Sequence, residues 1–412
     1  MQQLSYIQKY AVILIVLFGI YYIPIEGRGG FGPLKLALIV STVPVLLFWC
    51  FRITKPILIG FIYILWQVYV GVSHPESLRW STLYYSMGLV VFYCCAYNLI
   101  YVRHVFNIHL FLKIVKGMMY AYFIVCVIQQ AFILAGIRVF PLINLTYELN
   151  REFGCYSLSM EPSTFARTML VLYYAYVKCN EYIRGEGPFS IMELFSSEYR
   201  TITLMFLWMM TTMGSGTAYV CLIVFSLYFV RWHNWYYMIP ILGFIFYMVL
   251  PTMDNEQLER ATAAIEATTT LDRDKIMEAD GSGASRINPT INSFKADFTK
   301  ESTWLGHGID YSRNKYLFIK QKMTLFDDYG LIFYIITLIF NFACAYRFLS
   351  LATIFMFIGV GGGAGSNIHY AWELMFFITA VRYFYENQDN PEYFYGAEYL
   401  EELEEDEDEQ TT

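Results

Sequence analysis

Residues 110–136 read LFLKIVKGMMYAYFIVCVIQQAFILAG. The run is almost wholly apolar, with Lys113 and Lys116 near one end and Gln129 and Gln130 near the other. A stretch of this length as a helix crosses a hydrocarbon core of about 30 Å. The two lysines then snorkel to the near interface. Comparable runs lie on both sides of it, over 9–25, 33–51, 56–72, 81–101, 162–183, 199–213, 216–230, 236–251, 326–346, 348–360 and 366–385. Composition agrees, because the chain is 57% hydrophobic, 19% aromatic and only 15% charged, where a soluble domain carries about 25% charged residues. The expected fold is an all-α polytopic membrane protein with about twelve transmembrane helices. Residues 199–213, 216–230 and 348–360 are short for a span, and Gly214-Ser215-Gly216 and the glycine run 359–365 suit turns or breaks, so the count lies between ten and twelve.

The first run is not a cleavable leader, since Ile23-Pro24-Ile25-Glu26 offers no small-residue cleavage site and further spans follow. Of the eight cysteines only Cys155 falls in an expected external loop; the others lie in or beside apolar spans and read as small buried apolar residues. The net charge of −7 comes from the C-terminus, where residues 386–412 hold twelve acidic residues and no Lys or Arg. That segment is expected to be a solvated, disordered tail, and the rest of the chain is net basic. Twelve basic residues, among them Arg52, Lys55, Arg103, Arg347 and Arg382, fall on one side of the twelve-span arrangement and six on the other, outside the long insert. The positive-inside rule then places the N-terminus and the acidic tail in the cytoplasm. It places the loop 137–161 and a polar insert of about 252–325 on the outer face. The chain thus divides into a membrane-embedded domain, 1–385, and the tail, 386–412. No basic stripe with interleaved aromatics suggests nucleic acid; the partner implied by composition is the lipid bilayer.

The two outer loops hold the candidate chemistry. Residues 151–167 read REFGCYSLSMEPSTFAR. Pro162 and Ser163 start a helix, so Glu161 sits at its positive end. Arg167, a turn and a half deeper, should face a polar cavity, since lipid exposure there is costly; a plain structural Glu161–Arg167 pair is the alternative. In the insert, Asn288-Pro289 followed by Ile291, Phe294 and Phe298 predicts an amphipathic helix, with Gly283–Ile287 before it and Trp304-Leu305-Gly306-His307-Gly308-Ile309-Asp310 after it. Guanidinium groups grip phosphate oxygens bidentately, so Arg151 and Arg286 suit a pyrophosphate held at a membrane surface. Gly306-His307-Gly308 allows either close backbone approach to a ligand or a tight turn. Other matches lack their context. Asp272-Arg273-Asp274 has no nucleotide-binding α/β domain around it, Gly361–Gly365 no P-loop lysine, and Asn144-Leu145-Thr146 fits a glycosylation sequon by chance.

The runs REFG and MEPSTFA ahead of a span, the Gly-Ser-Gly turn, and the long loop reading SRI, NSF, WLGHGID and DDYGLIFYI resemble the O-antigen polymerase and ligase superfamily, which includes the Wzy-type polysaccharide polymerases. The resemblance implies a fold similar to GT-C-type membrane glycosyltransferases in a bacterial inner membrane, with the active site facing the periplasm. It implies inverting, metal-independent glycosyl transfer from undecaprenyl pyrophosphate with no cofactor. The substrate would be an undecaprenyl-pyrophosphate-linked oligosaccharide, and a chain-length regulator protein a further partner. Candidate bases for the acceptor hydroxyl are Glu161, His307, Asp310 and Glu373. Arg151, Arg167 and Arg286, with His369 and Glu373 at the outer end of the last span, are expected to bind the pyrophosphate and glycan. The ligase branch carries a His-Asn/Ser/Gln pair about eleven residues before the glycine that opens the next span; here that place is Ile319-Lys320, which tilts the reading toward polymerase. A ligase, or a flippase for the same lipid-linked oligosaccharide, is the alternative. A flippase would show repeated halves and charges near mid-membrane, whereas the charges here cluster in outer loops and span ends.

Overall fold

The computed structural model describes residues 5–20, 32–137, 155–159, 161–230, 235–236, 240, 297–311, 325–347, 350–360 and 369–396. Among them the protein is helical and contains no strand. The helices are α1 Tyr6–Gly19, α2 Pro33–Phe48, α3 Lys55–Ser73, α4 Trp80–Tyr101, α5 Ile108–Leu134, α6 Pro162–Arg184, α7 Ile191–Leu194, α8 Arg200–Thr212, α9 Gly216–Ser226, α10 Glu301–Leu305, α11 Leu325–Cys344, α12 Leu351–Val360, α13 His369–Glu386 and α14 Pro391–Tyr395. Three of them, α3, α4 and α5, are long and apolar enough to cross a membrane. Tyr6–Gly19, Pro33–Phe48, Gly216–Phe229 and Asp328–Cys344 are apolar but shorter. The expected span 236–251 lies almost wholly outside the described residues.

Local chemistry sets the helix ends. Ser5 and Gln8 form a reciprocal capping box at the start of α1, and the Asn107 side chain caps α5 by accepting from the Leu110 amide at 2.7 Å. Pro162 occupies the first turn of α6, where its missing N–H costs nothing. Gly214 and Ser215 make the turn between α8 and α9, as the sequence suggests. The helix expected over 9–25 instead stops at Gly19, and Ile20 is extended. Its last carbonyls are taken by side chains, as described below.

Successive helices run in opposite directions, because the polar contacts collect at two ends of the bundle. At one end Asn98 Nδ2 donates to the carbonyls of Cys50 and Arg52, 3.0 Å each, and Tyr101 donates to Glu386 at 2.9 Å. Arg382 Nη1 donates to the carbonyls of Phe342, Ala343 and Tyr346 at 3.0–3.3 Å. This joins the ends of α2, α4, α11 and α13. At the other end Lys35, Tyr122 and Glu373 meet the last turn of α1.

The outer face of the bundle is apolar. On α3, Leu58, Phe61, Ile62, Leu65 and Val72 are more than half exposed, while Gln67 is buried and donates to Ser86 at 2.8 Å. An apolar outer face over a core holding Lys35, Asn98, Gln129 and Glu373 is what a lipid surround selects. The centre is formed by α4, α6 and α13. Trp372 lies fully buried with its ring 5.9–6.2 Å from those of Tyr63, Tyr93 and Phe340.

Part of the expected acidic tail is folded. Residues 391–395 form α14, Phe394 is buried, and Tyr393 stacks on His104 at 4.0 Å. The folded chain therefore extends to Gly396, and residues 397–412 lie outside the described set. Burial against this short helix lowers the pKa of His104, in the connection between α4 and α5; the Glu392 carboxylate opposes the shift.

Arg382 caps the last turn of α11 and should matter more than its peripheral position suggests. Hydrogen bonds to a charged group contribute about 1.5–3 kcal/mol, so Arg382→Gln is expected to lower stability by about that amount. Arg382→Lys should recover less than half, because one ammonium cannot serve the α11 carbonyls and Glu386 from two separate nitrogens as Nη1 and Nε do. Thermal unfolding in detergent measures both; equal stability of the lysine and wild-type proteins would contradict the capping role.

Candidate functional site

The end of the bundle opposite Arg382 gathers buried polar side chains from α2, α5, α6 and α13 around the last carbonyls of α1. Lys35 is the third residue of α2 and is 0% exposed. Its ammonium donates to the carbonyl of Leu17 at 2.7 Å and to that of Phe18, and stands 5.1 Å from the Phe18 ring. A helix C-terminus carries partial negative charge, so the cation suits this place. Tyr122 of α5 donates its hydroxyl to the Gly19 carbonyl at 2.7 Å.

Glu373 approaches the same turn from α13 and is 3% exposed. A Cβ placed on Gly19 would stand 2.5 Å from Glu373 Oε1, so glycine is what admits the carboxylate here. Oε1 has no hydrogen-bond partner among the described residues, and Lys35 reaches the same helix turn from α2. An ammonium and a carboxylate are thus held in the interior about one turn from the helix ends that carry them. Isolated, either would be costly there.

The segment 155–159 forms the adjoining wall. Gln129 Oε1 accepts from the amides of Tyr156 and Ser157 at 3.2 and 2.7 Å, and its Nε2 donates to the Ser157 carbonyl at 3.1 Å. The Ser157 hydroxyl donates to the Tyr122 carbonyl at 2.6 Å. Glu161 then occupies the cap position of α6 with extended backbone, and Ser163 donates to its Oε1. Glu161 does stand at the positive end of that helix. Phe165, between Glu161 and Arg167, stacks on Tyr122 at 5.6 Å, so α6 presents this stretch to the same end of the bundle. Both Glu161 and Arg167 are half-buried.

His307 and Asp310 belong to a second cluster, over the hairpin between α3 and α4. Asp310 Oδ2 accepts from Thr82 at 2.8 Å, His307 stacks on Tyr311 at 4.6 Å, and Ile309 is fully buried. Gly308 leaves no room for a Cβ against His74 and Ser77. The Gly306-His307-Gly308 run is therefore a close backbone crossing. Gly306 and Gly330 pass so near that a Cβ on either would meet the other segment's backbone, and Trp66 Nε1 ties the Tyr329 carbonyl to α3 at 2.9 Å.

Of the residues expected in the site, the structure thus gathers Glu161, Arg167 and Glu373 at one end, and His307 with Asp310 over the α3–α4 hairpin. Arg151 and Arg286 lie outside the described residues, as does most of the amphipathic stretch 289–300. His369 begins α13, and its side chain lies outside the described set. Lys35, Tyr122 and Gln129 are additions. A lysine three residues into an apolar span is the signal that could have found Lys35; nothing in its neighbours indicates the partner.

The chain matches no protein-family model, no curated protein and no solved structure. Chemically, the first cluster offers two carboxylates able to accept a proton and two cations able to hold an anionic oxygen, all brought together by the packing of buried helices.

Proposed function

We propose that this protein is a Wzy-type polysaccharide polymerase. In this reading it spans the membrane about twelve times and works at the periplasmic face, joining lipid-linked oligosaccharide repeat units into a surface polysaccharide. The observation that supports the reading best is the meeting of Lys35 and Glu373 at the last turn of α1, beside the segment that leads into Glu161. Buried charges in a membrane protein mark the handling of a charged substrate, and these lie near helix ends, where a lipid-anchored pyrophosphate would present itself.

The acceptor hydroxyl of one repeat unit attacks the anomeric carbon of the growing glycan. The bond from that carbon to the phosphate oxygen breaks with inversion, and undecaprenyl pyrophosphate leaves with the electron pair. Glu161 or Glu373 takes the hydroxyl proton, while Lys35 and Arg167 stabilise the charge on the leaving group. Asp310 and His307 stand at the glycan side, with Arg151 and Arg286 as further phosphate ligands.

Deleting the gene in its host and separating the surface and lipid-linked glycans tests this. Single repeat units, exported but not extended, are the expected result. Long chains stranded on the carrier would make the protein a ligase, and units trapped on the cytoplasmic face a flippase. An unchanged profile in a host without a second such enzyme would overturn the reading.

A further inference from the structure

Cys126 and Cys155 meet in the wall of the candidate site. Their sulfurs are 3.2 Å apart, and both residues are buried, at 0% and 1% exposure. Cys126 sits on α5 one turn from Tyr122 and one turn from Gln129, the two residues that bind the 155–159 segment. Gln130 Nε2 lies 3.7 Å from Cys155 Sγ and also donates to Thr212 at 2.7 Å. The two thiols are therefore held against each other by bonds on both sides.

A second pair, Cys50 and Cys95, is buried at the Arg382 end, where Asn98 of α4, the helix that carries Cys95, donates to the Cys50 carbonyl. The chain thus has one pair of cysteines at each end. If the ends face different redox compartments, the pairs should differ in state.

We propose that Cys126 and Cys155 form a disulfide that clamps the segment leading into Glu161 onto α5, while Cys50 and Cys95 remain thiols. The inference rests on the orientation given above, with the Lys35 end outside. Oxidation proceeds by two exchanges with an external protein disulfide of the thiol–disulfide oxidoreductase class. The Cys155 thiolate attacks one sulfur of that disulfide, expelling a thiolate and forming a mixed disulfide. The Cys126 thiolate then attacks the Cys155 sulfur and expels the second thiolate. Two cysteine thiols lose two protons and two electrons, and the external disulfide is reduced to two thiols. Because both sulfurs are covered once the segment has packed, the exchange takes place as the segment closes.

What the bond would hold is specific. Ser157 is tied to Tyr122, Tyr122 to Gly19, and Gly19 abuts Glu373. A clamp at Cys155 fixes the outer end of that chain of contacts.

The test uses the full-length protein in intact cells. Free thiols are blocked with N-ethylmaleimide before lysis, and the protein is then denatured, with or without reduction, and labelled with a maleimide-linked polyethylene glycol. The expected result is two additional adducts after reduction, absent from C126S and C155S, and a cross-linked 126–155 peptide in unreduced digests of the wild type. Equal adduct numbers with and without reduction would overturn the proposal; so would a 50–95 cross-link with free 126 and 155, which would also reverse the orientation. The wild-type comparison does not depend on any variant folding. Thiol state is independent of the glycan profile, so failure here and failure of the polymerase reading are separate results.

Discussion

Replacing Lys35 with Met is expected to destabilise the protein by about 3 kcal/mol, since a hydrogen bond from a charged group contributes about 1.5–3 kcal/mol. The variant loses the ammonium that serves the Leu17 and Phe18 carbonyls at the end of α1. Glu373→Gln should change stability less, because Oε1 makes no hydrogen bond among the described residues. Because the two groups meet at the same turn of α1, the double variant Lys35→Met/Glu373→Gln should lose clearly less than the two single losses combined. Thermal unfolding in detergent of the four proteins measures this. Additive losses would show that the two charges do not depend on each other. Activity separates structure from chemistry. If the charges serve the reaction, the double variant folds and fails to extend chains.

Gly330→Ala should be the most damaging small substitution in the described part of the long loop and its flanking helix. Gly330 has φ 82° and ψ 174°, a region that is essentially reserved for glycine, and other residues forced there lose up to about 3 kcal/mol from backbone strain alone. The new methyl would also meet the backbone of Trp304 and Gly306, which cannot move aside as a side chain can. The expected result is release of the 304–310 segment, loss of the Asp310–Thr82 hydrogen bond, and new protease cleavage within 297–311. Gly117→Ala is the control, because nothing lies within 4 Å of its Cβ position and it sits in mid-helix. That change should gain about 0.5–1 kcal/mol. Protease resistance of Gly330→Ala equal to wild type would refute the crossing as a structural anchor.

Local features were readable from the sequence because their causes are local. Pro162 announces the start of α6, Asn107 caps α5, and Gly214-Ser215 marks the turn into α9. Apolar length located α3, α4 and α5 to within a few residues. The early end of α1 was hidden, since the groups that take its last carbonyls come from Lys35 and Tyr122 on other helices. The site was legible as a set of loop and span-end charges, with Glu161 placed correctly at a helix start. Its pairing was not, because Lys35 and Glu373 are brought together by the packing of α2 and α13 around α1, and no spacing rule connects them. The folded stretch 391–395 was masked by the acidic composition around it; Tyr393, Phe394 and Tyr395 are the residues that dock it.

The position of α13 has a consequence for biosynthesis. This helix packs in the middle of the bundle against α1, α4 and α6, yet it is made long after all three. Lys35 is made about 340 residues before Glu373, which at 5–20 residues per second is a wait of roughly 20–70 s. During that interval the early helices must hold a nascent bundle open around an unfilled centre. Lys35 stands close enough to the start of α2 for its ammonium to reach headgroup water in the meantime. Arrival of α13 then fills the centre and sets Glu373 against the last turn of α1, where Lys35 serves the Leu17 and Phe18 carbonyls, so core and candidate site close together in a single late step of assembly.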